Sequence, residues 1–216
     1  GIYVGSVLMG DGGAKNWGGA GVTDMTEEGL KKLSSPVTAP LYKTSKYACV
    51  YCPIGCGAMY SVDSERYPML KHTTRPEYET VGLFGALLLN EDAESMMAAN
   101  HLCNEYGFDT ISACGTIAWI MECYNEGVFT KEELEGVQLP WGDGEAAVKM
   151  LEKICRGEGC GAIFQHGSQY AADHYKKGHE FLAVASGIEE SAHDSRFAPG
   201  LARTYQYDPT PGRHVK

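Results

Sequence analysis

With 216 residues, 44% of them hydrophobic and 21% charged, the chain is long enough to bury a sizeable core and should be globular. Its formal net charge of −10 excludes a polyanionic partner such as nucleic acid, which needs clustered Lys and Arg. No apolar run approaches the roughly 20 residues of a bilayer span. The opening GIYVGSVLMG lacks the charged start and cleavage site of a secretory leader, so a cytoplasmic location is expected.

The first 24 residues include GDGGAKNWGGAGVTD, backbone suited to tight turns or close approach and poorly suited to packing by itself. TEEGLKKL, residues 26–33, predicts a short amphipathic helix capped by Thr26, and SSPVTAP then breaks the chain before a cysteine loop. From Glu79 the pattern turns helical, through VGLFGALLLN and then EDAESMMAANHLCNEYG, where Glu91 and Asp92 occupy the first turn and Gly107 is the C-cap. GTIAWIMECYNEG sets Ile117, Ile120, Met121 and Tyr124 on one face and stops at Gly127. TKEELEG predicts a short helix capped by Thr130 with Glu133 three residues on. GDGEAAVKMLEKICRGEG and AIFQHGSQYAADHYKKG add two more helices, and past Gly178 periodicity is lost.

The expected fold class is mainly α. Residues 1–40 form a Gly-rich segment and short helix, 41–78 the cysteine-loop region, 79–178 a helical domain and 179–216 an irregular segment. The aromatic-bearing end, with nothing after it to bury it, suggests that the chain continues in the intact protein.

ACVYCPIGCG sets Cys49, Cys52 and Cys56 in one loop with Pro53, Gly55 and Gly57. Three soft thiolates at this spacing suit corners of an iron–sulfur cube, whereas zinc wants a fourth Cys or a His at a spacing that is missing. The fourth cluster ligand is open: Cys103, Cys114, Cys123, Cys155, Cys160 or a residue beyond Lys216. Cys103, Cys123, Cys155 and Cys160 lie in or beside apolar helical stretches, where free Cys packs as a small hydrophobe.

His72, Arg75, Glu77 and Glu79 follow the loop closely, and read equally well as proton-handling groups or as a solvated junction before a helix. Asn104, Gly107, Asp109 and Ser112 read first as a Gly C-cap followed by a polar N-cap, and second as donors and acceptors for a ligand. Arg213 and His214 occupy a turn that is either a pocket wall or an exposed tail.

Taken in order, ACVYCPIGCG, RPEYET and NEYGFDTIS followed by TIAWIMECYNEG resemble the aldehyde:ferredoxin oxidoreductase family of tungsten enzymes. AKNW is similar to that family's Arg-Asn-Phe segment, and residues 192–214 to a divergent version of its stretch ending in Cys-His. The resemblance implies a [4Fe-4S] cluster on Cys49, Cys52 and Cys56, with the fourth thiolate from a later domain. It also implies a tungsten or molybdenum bis-pyranopterin contacted by Asn16, Asn104, Gly107 and Asp109, with Glu77 and His214 as acid/base groups beside the metal. Asn104 replaces the leading Asp of the pterin motif, which weakens a charge-assisted bond, and Arg213 replaces the Cys before His214.

The family enzyme is longer. The likeness covers its middle helical domain and a little of the third, which implies a fragment inactive by itself that works with the remaining domains of the same enzyme. Aldehydes would be oxidised to carboxylic acids, with electrons passed to ferredoxin or another electron-transfer protein. Cys114 stands where most members have Gly, and a thiolate there would reach the tungsten directly, which resembles the tungsten subunit of benzoyl-coenzyme A reductases acting on an aromatic thioester. A small buried residue at a helix start is the equal alternative. The rivals from other classes are a non-catalytic iron–sulfur electron-transfer subunit and a zinc-stabilised helical module.

Overall fold

The computed structural model describes residues 2–213, and its architecture is mainly α with five short strands among those residues. Helix α1 (Ile2–Met9) buries Tyr3, Val4, Ser6 and Val7, so the glycine-rich start does pack. The glycines serve that packing: at the start of α2 (Gly21–Asp24), a Cβ on Gly21 would collide with the side chain and carbonyl of Val7. α3 (Glu27–Leu33) is capped as expected, the Thr26 hydroxyl accepting from the Gly29 amide at 2.9 Å. SSPVTAP does not break the chain but forms α4 (Ser35–Tyr42). Pro36 sits in the first turn, where no N–H is needed, and in so short a helix Pro40 forfeits little.

β1 (Lys43–Tyr47), β2 (Gly57–Tyr60) and β3 (Thr73–Thr74) form an antiparallel sheet in that order, with Tyr47 opposite Gly57 and Tyr60 opposite Thr73. The cysteine loop joins β1 to β2. α5 (Tyr78–Phe84) ends at Gly85, and VGLFGALLLN finishes in a 3₁₀ turn rather than as one helix, closed by Leu89 at φ 57°. α6 (Ala93–Tyr106) starts at an Asp92 cap and ends at Gly107, whose φ of 74° suits glycine. α7 (Thr110–Asn125) is capped by Asp109 and starts five residues before the predicted GTIAW segment. TKEELEG makes turns only, although Thr130 and Glu133 exchange the expected cap bonds at 2.9 and 3.2 Å.

α8 (Gly144–Arg156) follows, and the helix predicted over AIFQHGSQYAADHYKKG is split into α9 (Gly161–Phe164) and α10 (Ser168–Tyr175) by Gly167 at φ 93°. The segment expected to be irregular carries a small hairpin, β4 (Val184–Ala185) with β5 (Ile188–Glu189), and α11 (Pro199–Tyr207). α11 buries only Tyr205, so it lacks the repeating apolar stripe that periodicity detects. No helix among the described residues is long and apolar enough to cross a membrane.

One core runs from Tyr3 to Ala192. Two local features of it are testable. Gly161 opens α9 against the Lys153 carbonyl, where any Cβ would collide with backbone; Gly161→Ala should cost about 1–3 kcal/mol in urea unfolding of the chain. Asp92 caps α6, accepting from Glu94 N at 3.1 Å, and pairs with both terminal nitrogens of Arg66 at 2.8 and 3.0 Å. Burial alone would raise the Asp92 carboxyl, but Arg66 and the helix-start amides overcome this and hold it below its ordinary value. A carboxyl lowered by folding stabilises the chain above its unfolded pKa of about 3.9 and loses that contribution as pH falls. Asp92→Ala should cost about 1 kcal/mol at pH 7, and the difference from wild type should shrink in unfolding curves recorded on the acid side of pH ~4.

Candidate functional site

The last β1–β2 pair, Tyr47 with Gly57, closes a loop of nine residues in which all three cysteines are free thiols. Cys49 and Cys56 are exposed and Cys52 half-buried. A tight turn holds them, the Cys52 amide donating to the Cys49 carbonyl at 3.0 Å with Tyr51 and Gly55 at φ 62° and 58°. Among the described residues no three His, Cys, Asp or Glu side chains gather to hold a single metal ion, as a mononuclear zinc site requires. A cube bonds each thiolate to a different iron, so its donors stand further apart than ligands of one ion. The donor chemistry of the loop fits three corners of such a cluster.

β2 leads from the loop to the edge of a cavity. A Cβ on Gly57 would run into the Tyr47 ring, so the ring lies flat across the loop base. Partial burial, then the Glu77 carboxylate and the Cys49 thiol, push the Tyr47 phenol above its ordinary value, while Arg75 opposes them. The Arg75–Glu77 pair, 3.1 Å apart, edges a cavity of about 590 Å³ whose walls include Ile2, Tyr3, Pro36, Pro76, Tyr78 and His193. The Arg75 amide donates to the Ala58 carbonyl at 2.8 Å, pinning this rim to β2, which begins directly after Cys56. Glu77 is therefore a cavity residue. His214 lies outside the described residues.

Asn104, Gly107 and Asp109 come together on the exposed turn between α6 and α7. Asn104 donates to the Thr74 hydroxyl at 3.0 Å. Asp109 caps α7 through Ile111 N and Ser112 N at 3.3 and 3.0 Å and pairs with Arg213 at 2.6 Å. The cap reading of this stretch holds, Gly107 ending α6 and Asp109 starting α7.

Asn16 is placed differently. It is buried, and its amide nitrogen donates to Glu122 at 2.5 Å and to the Phe181 carbonyl at 2.9 Å, bracing the N-terminal segment against α7. Lys15, Asn16 and Trp17 all have positive φ, an uncommon run for residues other than glycine that the brace stabilises. Cys114 is fully enclosed, and burial, with Cys103 adding to it, drives its thiol well above the ordinary range. The same cause pushes Cys103 up to about 12 and Cys155 to about 11. These thiols are core residues in this chain, and Cys114 does not line the cavity.

Sequence reasoning missed His193 and Asp11. They meet across 182 positions, His193 Nδ1 lying 2.9 and 3.1 Å from the two Asp11 carboxylate oxygens. One sits in an aperiodic stretch and the other in a glycine turn, so no local spacing marks them.

Comparison with known proteins accounts for most of the chain. The family model "Aldehyde ferredoxin oxidoreductase, domains 2 & 3" matches residues 5–216. The tungsten-containing aldehyde ferredoxin oxidoreductase of Pyrococcus furiosus is 37% identical over 185 residues, covering 85% of this chain and 29% of the relative. The corresponding protein of Thermococcus kodakarensis is 35% identical over 196 residues, covering 90% and 31%. This chain thus spans about three tenths of the length of these relatives. A subunit in the active site complex BamBC of benzoyl coenzyme A reductase, solved with 1,5-dienoyl-CoA, shares the fold at a TM-score of 0.70 and 19% identity, over 88% of this chain and 27% of that one.

Proposed function

The chain belongs to the aldehyde ferredoxin oxidoreductase family, and from that premise we propose that it is the cluster-bearing, cavity-forming part of a tungsten–pterin oxidoreductase that converts aldehydes to carboxylic acids. One observation carries the reading: three free thiols sit on a single loop that runs directly into β2, whose Ala58 carbonyl holds the Arg75 amide at the edge of a cavity lined by Arg75 and Glu77. Cys49, Cys52 and Cys56 would hold three corners of a [4Fe-4S] cluster, the fourth donor coming from the remaining domains of the enzyme. Asn104, Gly107 and Asp109 would contact the pterin of a tungsten or molybdenum cofactor from their shared turn. The chemistry such groups would supply is two-electron acceptance from an aldehyde and one-electron relay to ferredoxin or another electron-transfer protein.

The chain's own residues shape the site. Ile2, Tyr3, Pro36, Pro76 and Val81 give the cavity apolar walls, and Arg75 would hold the Glu77 carboxylate for proton transfer. The enclosed position of Cys114 lends no support to a thiolate ligand there, the feature on which reduction of an aromatic thioester would rest. The test is anaerobic expression of the full-length gene followed by viologen reduction with benzaldehyde. Aldehyde-dependent colour is expected; a protein that reduces viologen with no aldehyde tried, yet takes electrons into an aromatic thioester, would reverse the direction proposed.

A further inference from the structure

The loop that carries the three cysteines also pushes apolar side chains into solvent. Val50 and Tyr51 stand between Cys49 and Cys52, and Ile54 between Cys52 and Cys56. Val50 is 83% exposed, Ile54 79% exposed and Tyr51 fully exposed. Single exposed apolar residues are ordinary, but three within one short loop make a patch. The strand leading into the loop, β1, is exposed along its whole length and forms an edge of its sheet. Residues 34–62 contain no Asp or Glu in a chain whose net charge is −10, and the charged side chains of that stretch are Lys43 and Lys46, both on β1. Neither lysine has a carboxylate partner among the described residues. Glu77, beside Tyr47, has its charge offset by Arg75. Lysines on an edge strand guard against strand addition, but that role does not account for an apolar tip next to them.

We propose that the loop tip and β1 form the docking surface for an acidic, one-electron iron–sulfur carrier of the ferredoxin type. This role rests on the oxidoreductase reading above and gives its electrons their exit. Transient interfaces combine a small apolar centre with a charged rim, and electron-transfer complexes lie at the small end of the range, below about 1,200 Å². Here Val50, Tyr51 and Ile54 supply the centre, and Lys43 and Lys46 the rim. On a chain of net charge −10, an acidic carrier is repelled by most of the surface and drawn to this stretch, so the lysines steer it to the cysteine loop. Because the apolar residues alternate with the thiols, a partner that covers them sits within two residues of each proposed cluster ligand. Each encounter moves one electron: the carrier's oxidised centre is reduced as the loop's cluster is reoxidised, and two encounters clear the pair taken from one aldehyde. The remaining domains of the enzyme are the rival occupant, and a cover that never leaves has no use for steering charges.

The test uses the full-length enzyme, purified anaerobically, with benzaldehyde as substrate and a purified ferredoxin of net negative charge as acceptor. The double variant Lys43→Glu/Lys46→Glu should raise KM for ferredoxin about 10-fold at low salt and flatten its rise with ionic strength. Its kcat with benzyl viologen and its metal content should stay at the wild-type level. Tyr51→Asn, whose new side chain tolerates the φ of 62° at that position, should raise the same KM several-fold with iron content unchanged. Independently of turnover, a zero-length carbodiimide should join Lys43 or Lys46 to a ferredoxin carboxylate, located by peptide mass spectrometry, and the double variant should lose that link. An unchanged KM for ferredoxin in the double variant, a wild type that links to ferredoxin only elsewhere, or β1 lysines that link to carboxylates of the enzyme's own remaining domains would overturn the docking surface. A wild type loaded with metal yet inert toward aldehydes would instead overturn the functional reading, and the cross-link would still decide the docking surface.

Discussion

Cys52→Ser in the full-length enzyme should yield a folded protein without its iron–sulfur chromophore. Cys52 is the middle thiol of the loop, and its backbone, not its side chain, makes the turn through the 3.0 Å bond to Cys49. The substitution therefore leaves the β1–β2 hairpin intact and removes a soft donor, for which a serine hydroxyl is a poor replacement on iron. Cys123→Ala is the matched control. Its thiol is buried in the core, where burial pushes it up to about 12, so it contributes packing and no ligation. Visible absorbance and circular dichroism on the two variants separate the roles: colour is lost with fold retained for Cys52→Ser, and colour is retained for Cys123→Ala. Equal loss in both would mean that the chromophore reports folding and not the loop.

Trp119→Ala should destabilise the chain by about 3–5 kcal/mol, a large share of the roughly 5–15 kcal/mol that holds a domain folded. Trp119 is 1% exposed in the middle of α7, edge-on to Phe129 at 5.5 Å and to Phe164 at 6.3 Å. Its ring N–H donates to the Gly178 carbonyl at 2.7 Å, so truncation leaves both a void and an unpaired buried carbonyl. The indole thus ties α7 to α9 and to the segment leading to the cavity residue His193. Urea unfolding checks the magnitude; Trp119→Phe, which keeps an aromatic ring but loses the N–H bond and part of the indole volume, should cost less than the alanine change, about 2–3 kcal/mol. A loss below ~1 kcal/mol for the alanine variant would show that the aromatic cluster is not the centre of the core.

The helices with strong local signals were legible in the sequence. Thr26 and Gly107 mark their boundaries chemically, and each makes the bond or adopts the backbone angle that its residue type favours. Elements set by contacts distant in sequence were not. α4 forms despite two prolines because both fall where a short helix tolerates them, and α11 has a single buried anchor, Tyr205. The site divides in the same way. Cys49, Cys52 and Cys56 lie within eight residues, so their spacing could be read directly, and Glu77, read beside Arg75, lies at the cavity edge. The Asp11–His193 pair comes from opposite ends of the chain and exists only once α1 packs beside α5. Asn16, singled out by resemblance alone, has its amide engaged by Glu122 and Phe181, partners 106 and 165 positions away that no local pattern reveals.

The central claim is that this loop and cavity belong to an iron–sulfur and tungsten redox centre. Metal analysis of the full-length protein, purified without air, addresses it most directly. Four irons with matching acid-labile sulfide and one tungsten or molybdenum per chain are expected. One zinc per chain, with no iron and no sulfide, would contradict it.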